Sequence, residues 1–307
     1  MSHSSTLGVA IFGVGDMGTI HLKNAIKNPR ISIKWIVEAS NERIDRLKKE
    51  LYLDDSVLFT NTDGVDKVLA DNSVNALIVC TPTPYHVGLI KAGCAAGKAI
   101  FCEKPIATTV DDVTSCYAAA KINGQFLFCA LNRRFDPSIC ELYKRVKSGE
   151  IGKIKSIKTV ARDYPQRPVS FLKWSSGIFF DQAIHDIDFA CRIIGEAPMS
   201  VYCQAHSFNP EIAAINEVDQ GNIMMQFPGG AIVHIEVSRY AAHGYDQRIE
   251  VFGTKGMLET KNLFQNSVQF HQDSGQCRGK YEESFQARYK DSYYNELEHF
   301  LNVYKGK

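Results

Sequence analysis

Residues 13–18 constrain this chain more than any other stretch: Gly13, Val14, Gly15, Asp16, Met17 and Gly18 form a G-x-G-x-x-G run. The apolar residues 7–12 before it read as a buried strand, and 17–26 after it as a helix. Gly13 permits a sharp turn, Gly15 lets a backbone approach a pyrophosphate, and Gly18 lets helix and strand pack closely. At the helix start, Asp16 and Met17 add N–H groups without intrahelical partners, which suit an anion. The run alone is a weak signal, because a turn can use glycine for its own sake. Strand before, helix after and an acid at the next strand end together point to a dinucleotide site.

That acid is Glu38, twenty residues beyond Gly18. A carboxylate there accepts hydrogen bonds from both ribose hydroxyls and repels a 2′-phosphate, which favours NAD over NADP. Arg43 is the nearby residue that argues the other way. The plain alternative for Glu38 is a solvated charge at a helix start.

Further strands at 33–37, 76–80, 99–102 and 126–130 alternate with helices at 42–50, 87–95 and 110–122. Continuous apolar strands separated by helices imply a parallel sheet covered on both faces. Its later strand ends should border the same crevice as the glycine run. Thr81 and Pro82 follow one of them, and His86 in the next helix is placed to cap or line the pocket. Glu103, Lys104 and Pro105 follow another, where Pro105 biases Lys104 toward an extended conformation that projects its ammonium into the cleft. A solvated Glu–Lys pair is the bland alternative.

Beyond Arg134 the pattern changes. Residues 137–146 suggest a helix, 154–161 a strand, and 184–194 a helix stopped by Gly195. From 201 to 270 the text is mostly strand-like, most clearly at 221–227, 231–238 and 247–252. The turns at 228–230 and 254–256 are too tight for a parallel crossover, so the strands they join are antiparallel. A last helix is expected at 289–303.

Composition narrows the classes. At 307 residues, 45% hydrophobic and 22% charged, the chain is long enough for two domains, each with its own core. A net charge of +1 gives no general attraction for nucleic acid or for an anionic membrane, although one small anion could be held locally. Residues 1–6 are polar, the apolar run at 7–14 is short and broken by glycine, and no window reaches transmembrane length. Nine cysteines, an odd number with no C-x-x-C pair, read as buried free thiols of a reducing, cytoplasmic setting.

Three separated stretches carry a resemblance: G-V-G-D-M-G, the E-K-P of Glu103 to Pro105, and G-I-F-F-D-Q-A-I-H-D-I-D at 177–188. On these the chain resembles the glucose-fructose oxidoreductase / inositol dehydrogenase / MocA family along nearly its whole length. Within it, N-R-R-F-D-P at 132–137 and S-R-Y-A-A-H-G-Y-D-Q-R-I-E-V-F-G-T-K-G at 238–256 look most like inositol 2-dehydrogenases. The resemblance implies an α/β fold class: an N-terminal Rossmann domain over 1–130 and a C-terminal α/β domain with a large open antiparallel sheet over 131–307. The second domain would bind substrate and pair copies into a homodimer or homotetramer through its sheet, with the final helix able to pack back on the first. It also implies catalytic roles for Lys104, Asp181 and His185, a substrate-facing arginine at Arg133 or Arg134, and a pocket tyrosine at Tyr245. His243 stands where those enzymes often have another tyrosine, and the loop Arg162, Asp163, Tyr164, Pro165 departs from their common pattern.

Asp181, His185 and Asp188 are spaced i, i+4 and i+7, which shares one face of a regular helix. As metal ligands they would need a third partner, and Asp186 points elsewhere on such a helix, so no metal is expected. A capping aspartate with surface neighbours is the other plain reading. Imidazole cycles its proton near neutral pH, so His185 suits the base that takes a hydroxyl proton. Asp181 would orient the hydroxyl, Asp188 would support His185 or pack the helix, and Lys104 would donate to the reacting oxygen. Asp163, Tyr245 and one arginine would hold the remaining hydroxyls, and His243 would replace a tyrosine hydrogen bond or admit an anionic group. The expectation is an NAD-dependent dehydrogenase of a cyclic polyol, myo-inositol first. Another sugar, a sugar derivative or a trans-dihydrodiol stands second, and a non-catalytic NAD-binding regulator is the reading from another class.

Overall fold

The computed structural model describes residues 6–306. The polar opening read at 1–6 lies, except for Thr6, outside the described residues. The chain divides into two compact units: Asn132–Ser292 forms one, and the described residues on either side of it form the other.

In the first unit, β1 (Leu7–Phe12), α1 (Asp16–Lys27), β2 (Ile31–Val37), α2 (Asn41–Glu50), β3 (Leu58–Thr60) and α3 (Val65–Ala70) follow in order. They continue as β4 (Ala76–Val79), α4 (His86–Ala95), β5 (Ala99–Glu103), α5 (Val110–Ile122) and β6 (Leu127–Ala130). The six strands pair in parallel in the order β3-β2-β1-β4-β5-β6. That is the doubly wound dinucleotide-binding order, which reverses direction between β1 and β4.

Strand periodicity explains the layers. Leu7, Val9 and Ile11 of β1, with Ile78 and Phe101, face one core, while Ala10 and Phe12, with Leu77, Val79 and Ile100, face another. Leu22 and Ala25 of α1 cover the first core, and Ile90, Cys94 and Cys116 of α4 and α5 cover the second. Full burial of each such aliphatic side chain contributes about 1.5–3 kcal/mol. Strand β3 and helix α3 had no sequence signal, since three residues are too few to show a period.

The second unit contains α6 (Pro137–Lys147), β7 (Ile154–Arg162), α7 (Val169–Leu172), a π turn at Phe179–Ala183 and α8 (Ile184–Ile194). Next come β8 (Ser200–His206), α9 (Pro210–Ala213), β9 (Gln220–Gln226), β10 (Ile232–Ser238), β11 (Asp246–Gly253) and β12 (Met257–Thr260). A hairpin of β13 (Gln269–Gln272) and β14 (Gly275–Arg278) and the short α10 (Phe285–Arg288) lead into α11 (Lys290–Tyr304). From Tyr293 onward α11 belongs to the first unit, where Leu297, Phe300 and Leu301 join the core beside α1.

The large sheet runs β12-β11-β7-β10-β9-β8, and it is mixed. The strands joined by tight turns, β9–β10 and β11–β12, are antiparallel as their turns require. The large open antiparallel sheet expected here has one parallel pairing: β7 inserts between β10 and β11 and runs parallel to β10, Ser156 opposite Ile232. No tight turn connects β7 to either neighbour, so nothing local in the sequence sets its direction. Ile157, Ile223, Val233, Ile235 and Val251 point to the face that α6 and α8 cover. On the other face Met224, Ile232 and Phe252 stay exposed, and every residue of the edge strand β8 is exposed.

Candidate functional site

The glycine run forms the turn from β1 into α1. Gly13 has φ +78°, a backbone that L side chains rarely adopt, and a Cβ there would stand 2.9 Å from the Cys80 carbonyl oxygen. A Cβ on Gly18 would stand 1.9 Å from the Gly13 carbonyl oxygen, so no other residue lets α1 lie this close. Gly15 is different: a Cβ there meets nothing within 4 Å. It is also the N-cap of α1, and no side chain caps the amides that follow. Asp16 is exposed in the first turn and Met17 is half-buried, at the end of the helix whose dipole favours an anion.

Glu38 closes the turn from the side. Its Oε2 accepts the Val14 N–H at 2.9 Å, and its Oε1 accepts from the Ser40 N–H at 3.0 Å and Arg43 Nη1 at 3.1 Å. Arg43 is thus turned onto the carboxylate. Beside it Asn41, Ile44, Lys48, Phe59 and Thr60 line an open groove. Thr81 and Pro82 follow β4 and reach the turn through Thr81, whose backbone N would lie 3.1 Å from a Cβ on Gly13.

Two of the expected cofactor residues turn away from this turn. His86 is buried, with Nδ1 2.8 Å from the Pro105 carbonyl oxygen and Nε2 2.8 Å from that of Thr81. A ring with one N–H donates to one of these carbonyls, and in either tautomer His86 sits between the loops after β4 and β5. Glu103 is buried as well, one oxygen 2.7 Å from His21 Nε2 and the other accepting the Lys104 N–H at 3.2 Å. An acid at a strand end can face either way, and the sequence does not show that His21 waits inside. Lys104 itself is half-buried, and its peptide bond to Pro105 is cis.

In the second unit the D-x-x-x-H motif straddles two helix types. Asp181 lies in the π turn Phe179–Ala183, whereas His185 lies in α8. The wider turn replaces the regular i, i+4, i+7 spacing expected for Asp181, His185 and Asp188. Arg239, buried at the end of β10, reaches Asp181 at 2.5 Å and the Ser175 hydroxyl at 3.2 Å. Asp188 holds Arg134 through Nε at 2.7 Å and Nη2, a partner that the sequence reading, support of His185 or packing of the helix, did not include. His185 lines a small cleft with Arg133, Arg134, Tyr143, Asp188 and Arg192.

The arginine pair splits in role. Arg134 is half-exposed, while Arg133 is buried against Asp186 at 3.0 Å and Gln247 at 2.7 Å, over the Tyr289 ring. Burial works most strongly against the Arg133 charge, but Asp186, Tyr289, Tyr245 and Asp163 together outweigh it and raise its pKa. Those groups therefore share one neighbourhood. Tyr245 is buried with its ring edge on Tyr289, and Asp163 accepts the Ala241 N–H through its backbone carbonyl. His243 is half-exposed and bonded to the buried Asp246 at 3.2 Å. Burial pushes Asp246 up, yet hydrogen bonds from Arg248, Asn262 and His243 hold it down at about 2. Arg239, Asp186 and Gln247 had no assigned site role from the sequence, because their partners lie 58, 53 and 114 residues away.

The strand order, the open Gly15 and the bare start of α1 define a dinucleotide-binding enzyme fold. A family model described as an NAD-binding Rossmann-fold oxidoreductase matches residues 7–131, and the GFO/IDH/MocA C-terminal domain matches 139–259. The chain belongs to the GFO/IDH/MocA family, and it is an NAD-dependent oxidoreductase. It is similar to the myo-inositol 2-dehydrogenase of Thermotoga maritima, 33% identical over 97% of this chain and 89% of that protein. The inositol 2-dehydrogenase of Rhizobium meliloti is 32% identical over 96% of this chain and 88% of its own length. Among solved structures, a putative myo-inositol dehydrogenase from Sinorhizobium meliloti matches with a TM-score of 0.90 at 32% identity, covering 98% of this chain and 90% of that one. The scyllo-inositol dehydrogenase of Lactobacillus casei, solved with NAD(H) and scyllo-inositol, matches with a TM-score of 0.89 at 26% identity, covering 98% and 90%.

The two close glycines make opposite predictions. Gly15→Ala adds a methyl where nothing stands, so stability should change by less than about 1 kcal/mol while NAD affinity falls at least ~10-fold. Gly18→Ala drives a methyl into backbone and should cost about 1–3 kcal/mol or more of stability. Thermal melts with calorimetric NAD titration read both. Undiminished NAD binding by Gly15→Ala would contradict this account of the turn.

Proposed function

We propose that this oxidoreductase oxidises a ring hydroxyl of a cyclic polyol, an inositol first and a pyranose sugar next. The observation that carries the reading is similarity along nearly the whole chain to proteins named as inositol dehydrogenases, and the chain has Lys104, Asp181 and His185 to supply the chemistry. Bound NAD supplies the hydride acceptor at nicotinamide C4. The amides at Asp16, Met17 and Gly18 would hold its pyrophosphate, and Glu38 its adenine ribose. Arg43, engaged by Glu38, is drawn away from any 2′-phosphate, which supports NAD over NADP.

His185 takes the proton from the substrate hydroxyl as the C–H bond breaks and hydride passes to the cofactor. Asp181 is held by Arg239, so it acts as a fixed acceptor that orients the hydroxyl and stabilises the imidazolium. Lys104 donates to the reacting oxygen. Arg134 at the His185 cleft, together with Asp163 and Tyr245, holds the remaining ring hydroxyls. His243 tunes this set through Asp246.

We further propose that two copies pair through the outer face of the large sheet. Met224, Ile232 and Phe252 are exposed there beside Lys158, Glu236 and Glu250, a mixed face that suits a second copy better than a partner of one charge sign. The nine free cysteines support a reducing, cytoplasmic setting. No helix among the described residues is long and apolar enough to cross a membrane.

With NAD and a panel of inositols, pyranoses and dihydrodiols, turnover should be highest on an inositol. Lys104→Ala and His185→Ala should each lower it at least ~100-fold while leaving NADH affinity nearly intact. Activity confined to an aromatic dihydrodiol would refute the polyol reading, and unchanged turnover in both variants would refute the roles. Light scattering should return at least a dimer; a monomer at micromolar concentration would sink the pairing.

A further inference from the structure

Three ionisable side chains outside the reacting set share one buried space in the first unit. His21 comes from α1, Glu103 from the end of β5 and Glu296 from α11, and all three are buried. Their ligand atoms lie within 4.8 Å of one another. The Glu103 carboxylate is fully engaged: Oε1 takes the His21 Nε2 bond at 2.7 Å, and Oε2 accepts the Lys104 N–H at 3.2 Å. Glu296 is not engaged. Its Oε1 stands 3.9 Å from His21 Nε2, and neither oxygen has a hydrogen-bond partner among the described residues.

Two ionised carboxylates here would set like charges side by side without water. A positively charged His21 would offset one of them, but it would need an acceptor at Nδ1. That nitrogen has none among the described residues, and the Phe101 and Tyr293 rings meet the imidazole edge-on. A metal ion fits the distances poorly. Two ligand atoms about 2.0–2.1 Å from one tetrahedral zinc stand roughly 3.3 Å apart, whereas 2.7 Å is the separation of a hydrogen bond. A proton on Glu296 removes the second negative charge with nothing further added.

We propose that Glu296 is held as the neutral acid, leaving the charge on Glu103, and that the trio is a positioning device for Lys104. Burial, with the nearby Glu103 charge adding to it, raises the Glu296 carboxyl well above the usual carboxylate range. Cys80, just after β4, faces the same groups; burial, then Glu103 and Glu296, push its thiol up, so it adds no further negative charge. With Glu296 neutral, Glu103 keeps both acceptor oxygens, one anchored through His21 to α1 and the other fixing the backbone of Lys104. The last helix thus reaches the lysine through the chain that carries it. The positioning half rests on Lys104 being a catalytic group; the protonation half does not.

Infrared difference spectra of the full chain at neutral pH test the protonation half. A carboxylic-acid C=O band should be present, and Glu296→Gln should abolish it while keeping the melting temperature and the NADH affinity. Absence of the band, its persistence in Glu296→Gln, or a stoichiometric metal lost on that substitution would overturn the proposal. For the positioning half, Glu103→Ala should speed amide hydrogen exchange at Lys104 by at least ~10-fold, and Glu103→Gln, which keeps an acceptor for that N–H, should restore slow exchange. Equal exchange in Glu103→Ala and the unmodified chain would overturn it. None of these readouts measures turnover, so a failed catalytic role for Lys104 would show separately, as unchanged turnover in Lys104→Ala.

Discussion

A Cβ at Gly18 would stand 1.9 Å from the Gly13 carbonyl oxygen, and the atom missing there lets α1 begin directly against the end of β1. Much of the first unit follows from that approach. It points the uncapped start of α1 at the opening beside Gly15, where an anion meets backbone N–H groups and the positive end of the helix dipole. It also brings Val14 within reach of Glu38, so that the acid ending β2 and the turn after β1 fix each other. The neighbouring loops are tied in turn: His86 bridges the carbonyls of Thr81 and Pro105, and Glu103 holds the Lys104 N–H. Few of these links are strong alone, but each removes freedom from a loop that would otherwise have to be ordered on binding.

The second unit solves a different problem, that of burying charge. Arg133 and Arg239 are both withdrawn from water, and each faces a carboxylate from the segment around α8: Asp186 for Arg133, Asp181 for Arg239. Leaving one partner of such a pair alone is strongly unfavourable, so each arginine fixes the position of its acid. The π turn at Phe179–Ala183 is the local device that presents Asp181 to Arg239, and π turns recur at functional sites. The base proposed at His185 would gain from this rigidity because proton transfer needs atoms held at hydrogen-bond distance.

What the sequence made legible was local. The glycine run, the strand at Leu7–Phe12 and the helices at Val110–Ile122 and Ile184–Ile194 could be read with their bounds because their signals repeat within a few residues. Features decided by distant partners could not. The direction of β7 depends on strands some seventy residues further on, with Ser156 opposite Ile232. The inward turn of Glu103 depends on His21, 82 residues earlier, and the pairing of Asp181 depends on Arg239, 58 residues later. The partners of His86 were not legible because a histidine opening a helix looks the same whether carbonyls or solvent lie above it.

The central claim is that the chain moves a hydride between a ring carbon and NAD. Incubation of the full chain with NAD and inositols carrying deuterium on their ring carbons tests it directly, with magnetic resonance of the recovered cofactor as the readout. The account predicts one deuterium at nicotinamide C4 for every ring ketone formed. A ring ketone produced with no deuterium in the cofactor, or no ketone from any inositol or pyranose, would contradict it.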